Sequence, residues 1–169
     1  MEDHVKQLFQ HEAYTQVIYL YTELLDVILP PGARVSAFIG HSFGGELAYQ
    51  CCVRWHTMTG QQPHLFLFDS YCHADRLTFL PYDGDIVLFK ATEYDQTMYS
   101  MAKDEVLPEY EVMLVENERH WRELTPQIDI VPVEAGHFSM LEQKHVAAYM
   151  DTIKRSLEHP KSLHADENK

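Results

Sequence analysis

Val35-Ser36-Ala37-Phe38-Ile39-Gly40-His41-Ser42-Phe43-Gly44-Gly45-Glu46-Leu47-Ala48 is the stretch on which the reading of this chain turns. Val35 to Ile39 is an apolar run long enough only for a buried strand. Gly40 to Gly45 reads as a tight turn. From Gly45 to about Thr57 the pattern becomes helical, with Leu47, Ala48, Cys51, Cys52 and Trp55 facing inward. Inside the turn lies G-x-S-x-G, between a strand and a helix, the setting in which this motif carries chemistry. A sharp turn there holds Ser42 at the top of a sheet. Gly40 and Gly44 are expected to be glycine because side chains would collide across it. The helix that follows points its positive end at the site. The Phe43 backbone N–H becomes a donor for an oxyanion.

Outward from this turn, short apolar segments alternate with amphipathic ones. His11 to Leu29 carries Tyr14, Val17, Ile18, Tyr21, Leu24, Leu25 and Ile28 at helical spacing, and Pro30, Pro31 and Gly32 stop it. His64–Phe68, Asp85–Lys90 and Ile128–Val133 read as further strands. Leu141 to about Leu157 reads as a last helix, with Val146, Met150, Ile153 and Leu157 on one face. Residues 94–124, acidic and rich in Met and Tyr, read as mostly helical. This alternation predicts an α/β fold, a mostly parallel sheet flanked by helices. Residues 1–158 form the domain and 159–169 a polar tail. Ligands of such sheets bind beyond the carboxyl ends of the strands.

Two such ends supply partners for Ser42, a weak nucleophile that needs a base. His137, in Ala135-Gly136-His137-Phe138, follows the last strand. Asp69 ends the strand after the nucleophile and would fix the tautomer of His137. Both positions have plainer readings, His137 as a helix-capping loop residue and Asp69 as a turn former. Glu93 and Asp95, one strand later, stand as rivals for the acid. Cys51 and Cys52 read as core, Cys72 and His73 as lining, and His41 as packing beside Ser42.

The chain has 169 residues, 46% of them hydrophobic, with 26 acidic against 13 basic residues and a formal net charge of −13. That charge repels phosphate backbones and anionic membranes. No run reaches the ~18 apolar residues of a membrane span, and no secretory hydrophobic region is visible. Three cysteines without CxxC, and eleven scattered histidines without HExxH, argue against a disulfide scaffold or a metal site. Reduced thiols in the cytoplasm are the expectation.

At these residues the chain resembles the thioesterase domains of non-ribosomal peptide and polyketide synthetases and their stand-alone type II relatives. GHSFGGELAYQ (40–50) is similar to the nucleophile segment of that family. Phe66-Leu67-Phe68-Asp69-Ser70-Tyr71 is similar to its strand ending in the catalytic Asp, and Val87-Leu88-Phe89-Lys90-Ala91 to its next strand. Trp121, Leu124 and Val131 to Leu141 are similar to its tryptophan segment and histidine loop. The resemblance spans roughly residues 12–157. It implies an α/β-hydrolase-like fold and a triad of Ser42, Asp69 and His137. It also implies an acyl or peptidyl substrate on the phosphopantetheine of a carrier protein, with no other cofactor.

Two departures qualify it. The family has strands upstream of the nucleophile strand, one of whose loops supplies a second oxyanion N–H, and nothing here matches them. The expectation is an N-terminally truncated fold whose nucleophile strand has an open edge, to be completed by another chain or domain. Residues 72–84, between the second and third strands, are too few for a helical lid. Besides thioester hydrolysis or cyclisation, a small-ester esterase or lipase, and an inactive fragment or interaction module, therefore stay in view.

Overall fold

The computed structural model of the chain describes residues 2–72, 80–93 and 103–159. The order of elements is α1 (Glu2–Ile28), β1 (Ala37–His41), α2 (Phe43–Thr59), β2 (His64–Phe68), β3 (Ile86–Ala91), α3 (Lys103–Leu124), β4 (Asp129–Val133), a 3-10 turn (Ser139–Leu141) and α4 (Gln143–Glu158). Every strand foreseen in the sequence is present: His64–Phe68 has the expected bounds, and the other three differ from theirs by one or two residues. The last helix starts two residues later than expected, after the 3-10 turn.

The four strands form one parallel sheet in the order β1-β2-β3-β4. The apolar alternation of β2 and β3 serves two faces. Leu65, Leu67, Ile86 and Leu88 pack with Tyr49, Cys52 and Val53 of α2 and Trp121 of α3. Phe66, Phe68, Val87 and Phe89 pack with Met140 and with Tyr149 and Ile153 of α4. Both strands are buried except at Lys90 of β3, as a sheet covered by helices on two sides requires. Cys51, Cys52 and Cys72 are buried thiols that form no disulfide among the described residues.

Among the described residues β1 lies at the end of the sheet, paired with β2 alone. Ser36 accepts from the His64 N–H and Ser42 donates to the Phe68 carbonyl. In a parallel ladder this phase turns the N–H and C=O groups of Ala37, Ile39 and His41 away from β2. Ile39 is 62% exposed.

The apolar stripe expected of α1 packs only in part. Ile18 is buried and Tyr14 and Leu25 are half-buried, but Val17, Tyr21, Leu24 and Ile28 are exposed. The helix packs against α2. Its contact line runs through Thr15, Ile18, Thr22 and Leu25. Thr22 is fully buried, and its hydroxyl accepts from Arg54 Nε at 2.8 Å.

Asp95, His73, most of the 72–84 connection and the tail from residue 160 lie outside the described residues. Of residues 94–124, α3 accounts for the part from Lys103. Among the described residues, no helix is long and apolar enough to cross a membrane, and no cluster of three or more His, Cys, Asp or Glu could hold a metal ion.

Candidate active site

β1 runs directly into Ser42, and α2 starts at the next residue. Ser42 takes φ 54° and ψ −130°, a backbone state that costs a non-glycine residue of order 1–3 kcal/mol. Two bonds hold it there: its N–H donates to the Phe68 carbonyl, and its own carbonyl accepts from the Gly45 N–H, both at 2.9 Å. The closeness of the turn demands glycine at position 40, where a Cβ would collide with the Gly44 backbone. The expectation for Gly44 is corrected: a Cβ there meets nothing within 4 Å. The second constrained glycine is Gly45, whose Cβ would run into the Ser70 side chain as α2 crosses β2.

Phe43 opens α2, so its N–H has no acceptor within the helix and lies at the positive end of the helix dipole. The Phe43 side chain is exposed.

Asp69 follows β2 and, like Ser42, is a non-glycine residue with positive φ, 40°. His41 and Phe68 are register partners, so Ser42 and Asp69 occupy neighbouring strand ends. The Asp69 N–H donates to the Phe89 carbonyl at 2.8 Å, and its Oδ1 accepts from the Ala91 N–H at 3.1 Å. The carboxylate is thereby aimed, and its Oδ2 meets His137 Nδ1 at 2.7 Å. Both side chains are only 3% exposed. A carboxylate can only accept, so Nδ1 carries the proton and Nε2 is left as the basic atom. Glu93, the described rival for the acid, is exposed, and its N–H pins the Ala135 carbonyl at 3.0 Å. The Ser42 hydroxyl makes no hydrogen bond to His137 in this arrangement. Such bonds are often long in unliganded sites and tighten with substrate.

Behind Asp69, the Ser70 carbonyl accepts from Trp121 Nε1 at 2.9 Å and from Asn117 Nδ2 at 3.1 Å. Asn117 Oδ1 takes the Cys72 N–H at 2.8 Å. Nothing in the sequence singles out Asn117. It sits one helical turn before Trp121, and that spacing is the only signal that could have found it.

His41 does more than pack. Its Nε2 lies 2.8 Å from the His137 carbonyl, and the two imidazole centroids are 4.5 Å apart. Burial, with the neighbouring His137 in support, pushes the His41 pKa below its ordinary value against the pull of the His137 carbonyl and Asp69. Cys51 and Cys52 do not compete as nucleophiles, since burial raises their thiols to about 11 and about 12.

A strained serine between a strand and a helix, and an Asp–His pair at later ends of a parallel sheet, define an α/β-hydrolase-like architecture. Within that class the fold is similar to solved thioesterase domains. One is the NocB thioesterase domain from the Nocardicin cluster, at TM-score 0.60 and 16% identity, covering 86% of this chain and 74% of that one. Others are the Vlm2 thioesterase domain bound with a dodecadepsipeptide (TM-score 0.61, 9% identity, 84% and 73% covered) and its wild-type form (0.57, 13%, 84% and 72%). The likeness is one of fold. No family model and no curated protein matches the chain by sequence.

Proposed function

We propose that the chain is a serine thioesterase acting through an acyl-Ser42 intermediate. The observation that carries this reading is the buried 2.7 Å Asp69–His137 pair beside the positive-φ serine. His137 Nε2 takes the Ser42 proton as Oγ attacks the thioester carbonyl. The N–H of Phe43 donates to the oxyanion. The C–S bond then breaks, and the thiol leaves with the proton from His137. Water, or a nucleophile on the acyl chain itself, attacks the acyl-serine with His137 again as base, and an acid or a macrocycle is released. No cofactor enters these steps.

The substrate in this reading is an acyl or peptidyl chain on the phosphopantetheine of a carrier protein in the cytoplasm. Its support is by analogy. The NocB domain is also known as a covalent complex with a fluorophosphonate nocardicin G analog, and the Vlm2 domain with depsipeptides. The open edge of β1 is the place where another chain or domain would complete the sheet. A second reading, a non-catalytic interaction module, is favoured by one observation: the Ser42 hydroxyl is not bonded to His137. A small-ester esterase would use the same residues.

Intact mass after fluorophosphonate treatment, for the native chain and for Ser42→Ala, tests the proposal. A single adduct on the native chain that is absent from the variant, followed by turnover of acyl thioesters, is expected. A folded native chain that takes no adduct would leave the interaction module. Turnover of oxygen esters alone would leave the esterase.

A further inference from the structure

β1 carries Ala37, Ile39 and His41 on one face of the sheet, the face that α4 covers further along. The His41 side chain therefore rises towards the loop between β4 and the 3-10 turn, the loop that carries His137. That loop settles most of its backbone internally. The Gly136 N–H donates to Ser139 Oγ at 2.9 Å, the Met140 N–H to the Gly136 carbonyl at 3.0 Å, and the Leu141 N–H to the Phe138 carbonyl at 3.3 Å. The carbonyl of His137 bonds outside the loop, to His41 Nε2 at 2.8 Å. A carbonyl only accepts, so His41 Nε2 carries the hydrogen.

His137 is thus gripped at two points. Asp69 holds its ring through Nδ1, and His41 holds its backbone. The rings of His41 and His137 lie 4.5 Å apart with an interplanar angle of 37°, and the Phe138 ring stands 6.3 Å from His41. The residue that grips the base is also the chain neighbour of the nucleophile. Any shift of the His137 loop relative to the Ser42 turn must break this bond or carry both along.

We propose that His41 is a positioning residue. Its Nε2–H, bonded to the His137 carbonyl, ties the loop of the base to the turn of the nucleophile and sets the distance over which the serine proton travels. The inference rests on the thioesterase reading for its catalytic consequence, and on geometry alone for the tie itself. Small displacements of a reacting group cost up to about 10²-fold in rate, so the tie falls in a range that kinetics reads easily.

The experiment compares His41→Phe, which keeps the ring and loses the donor, with His41→Gln, whose Nε2 can reach the same carbonyl. Two readouts are taken. One is the low-field proton resonance of His137 Nδ1–H bonded to Asp69, which needs no activity. The other is the rate of Ser42 phosphonylation by a fluorophosphonate. With melting temperatures near that of the native chain, His41→Phe is expected to broaden or lose the resonance and to slow labelling by about 10-fold or more. His41→Gln is expected to restore both. A His41→Phe chain that keeps the resonance and labels at the native rate overturns the proposal, as does failure of both variants alike. If the native chain takes no label while the resonance still separates Phe from Gln, the tie stands and the thioesterase reading falls.

Discussion

Asn117 and Trp121 converge on a single acceptor. Separated by one turn of α3, they place Nδ2 and Nε1 at 3.1 and 2.9 Å from the carbonyl of Ser70. That carbonyl belongs to the residue after Asp69, whose φ of 40° needs an outside hold. Asn117→Ala would remove two buried hydrogen bonds, one to the Ser70 carbonyl and one from the Cys72 N–H, at a cost of about 1–3 kcal/mol. Thermal melting reads this loss. The labelling rate of Ser42 should fall with it, since the Asp69 turn relaxes. A variant that melts and labels like the native chain would show that the anchor is redundant with Trp121.

Asp69 is tested against Glu93, the rival among the described residues, by one pair of variants. Asp69→Asn keeps the shape but removes the charge that fixes the His137 tautomer, and should slow acylation by up to about 10⁴-fold. Glu93→Gln, on an exposed side chain, should leave the rate within about two-fold. Rates of fluorophosphonate labelling settle it, and the opposite ranking would move the acid to the end of β3.

The three glycines of the turn should behave differently. Gly44→Ala meets open space in a helix and should be neutral or stabilising by about 0.5–1 kcal/mol. Gly40→Ala drives a Cβ into the Gly44 backbone, and Gly45→Ala drives one into Ser70. Each should cost about 1–3 kcal/mol or more and impair labelling. Denaturant melts of the three variants check the order.

His41 and His64 both titrate below the ordinary histidine range, chiefly because burial disfavours the charged ring. At His64 the Asp85 carboxylate, 3.7 Å away, opposes the shift without cancelling it. The unfolded chain protonates these rings near pH ~6.5, before the folded one does. Their contribution to stability is therefore complete above that pH and is lost as the pH falls through the folded values. The melting temperature should drop between about pH 7 and about pH 5, and replacing both residues by Gln should flatten the drop. An unchanged slope in the double variant would assign acid sensitivity to the carboxylates.

The strand–serine–helix turn was legible because its signals are contiguous: an apolar run, two flanking glycines and a periodic helix. Asp69 and His137 were legible as polar residues at the ends of apolar strands. What escaped depends on packing between distant segments. Asn117 reaches a partner 47 positions away, and its helix gives no local sign of that. Gly44 and Gly45 are adjacent and chemically identical, and only the crossing of α2 over β2 decides which one faces Ser70. On α1, apolar residues form more than one stripe. Contact with α2 selected the line through Ile18 and Thr22, leaving Leu24 and Ile28 in solvent. His41 was read as packing because a hydrogen bond to a carbonyl 96 positions on has no pattern in the chain.

The proposed nucleophile follows directly on β1, the strand at the end of the sheet among the described residues. A segment hydrogen-bonded to Ala37, Ile39 and His41 would lie about 4.8 Å from β1, the ordinary spacing of neighbouring strands. Its end would come to rest beside Ser42, on the side away from Asp69. A segment docked at this border would bear directly on the backbone that leads into Ser42, since the strand and the serine are consecutive in the chain.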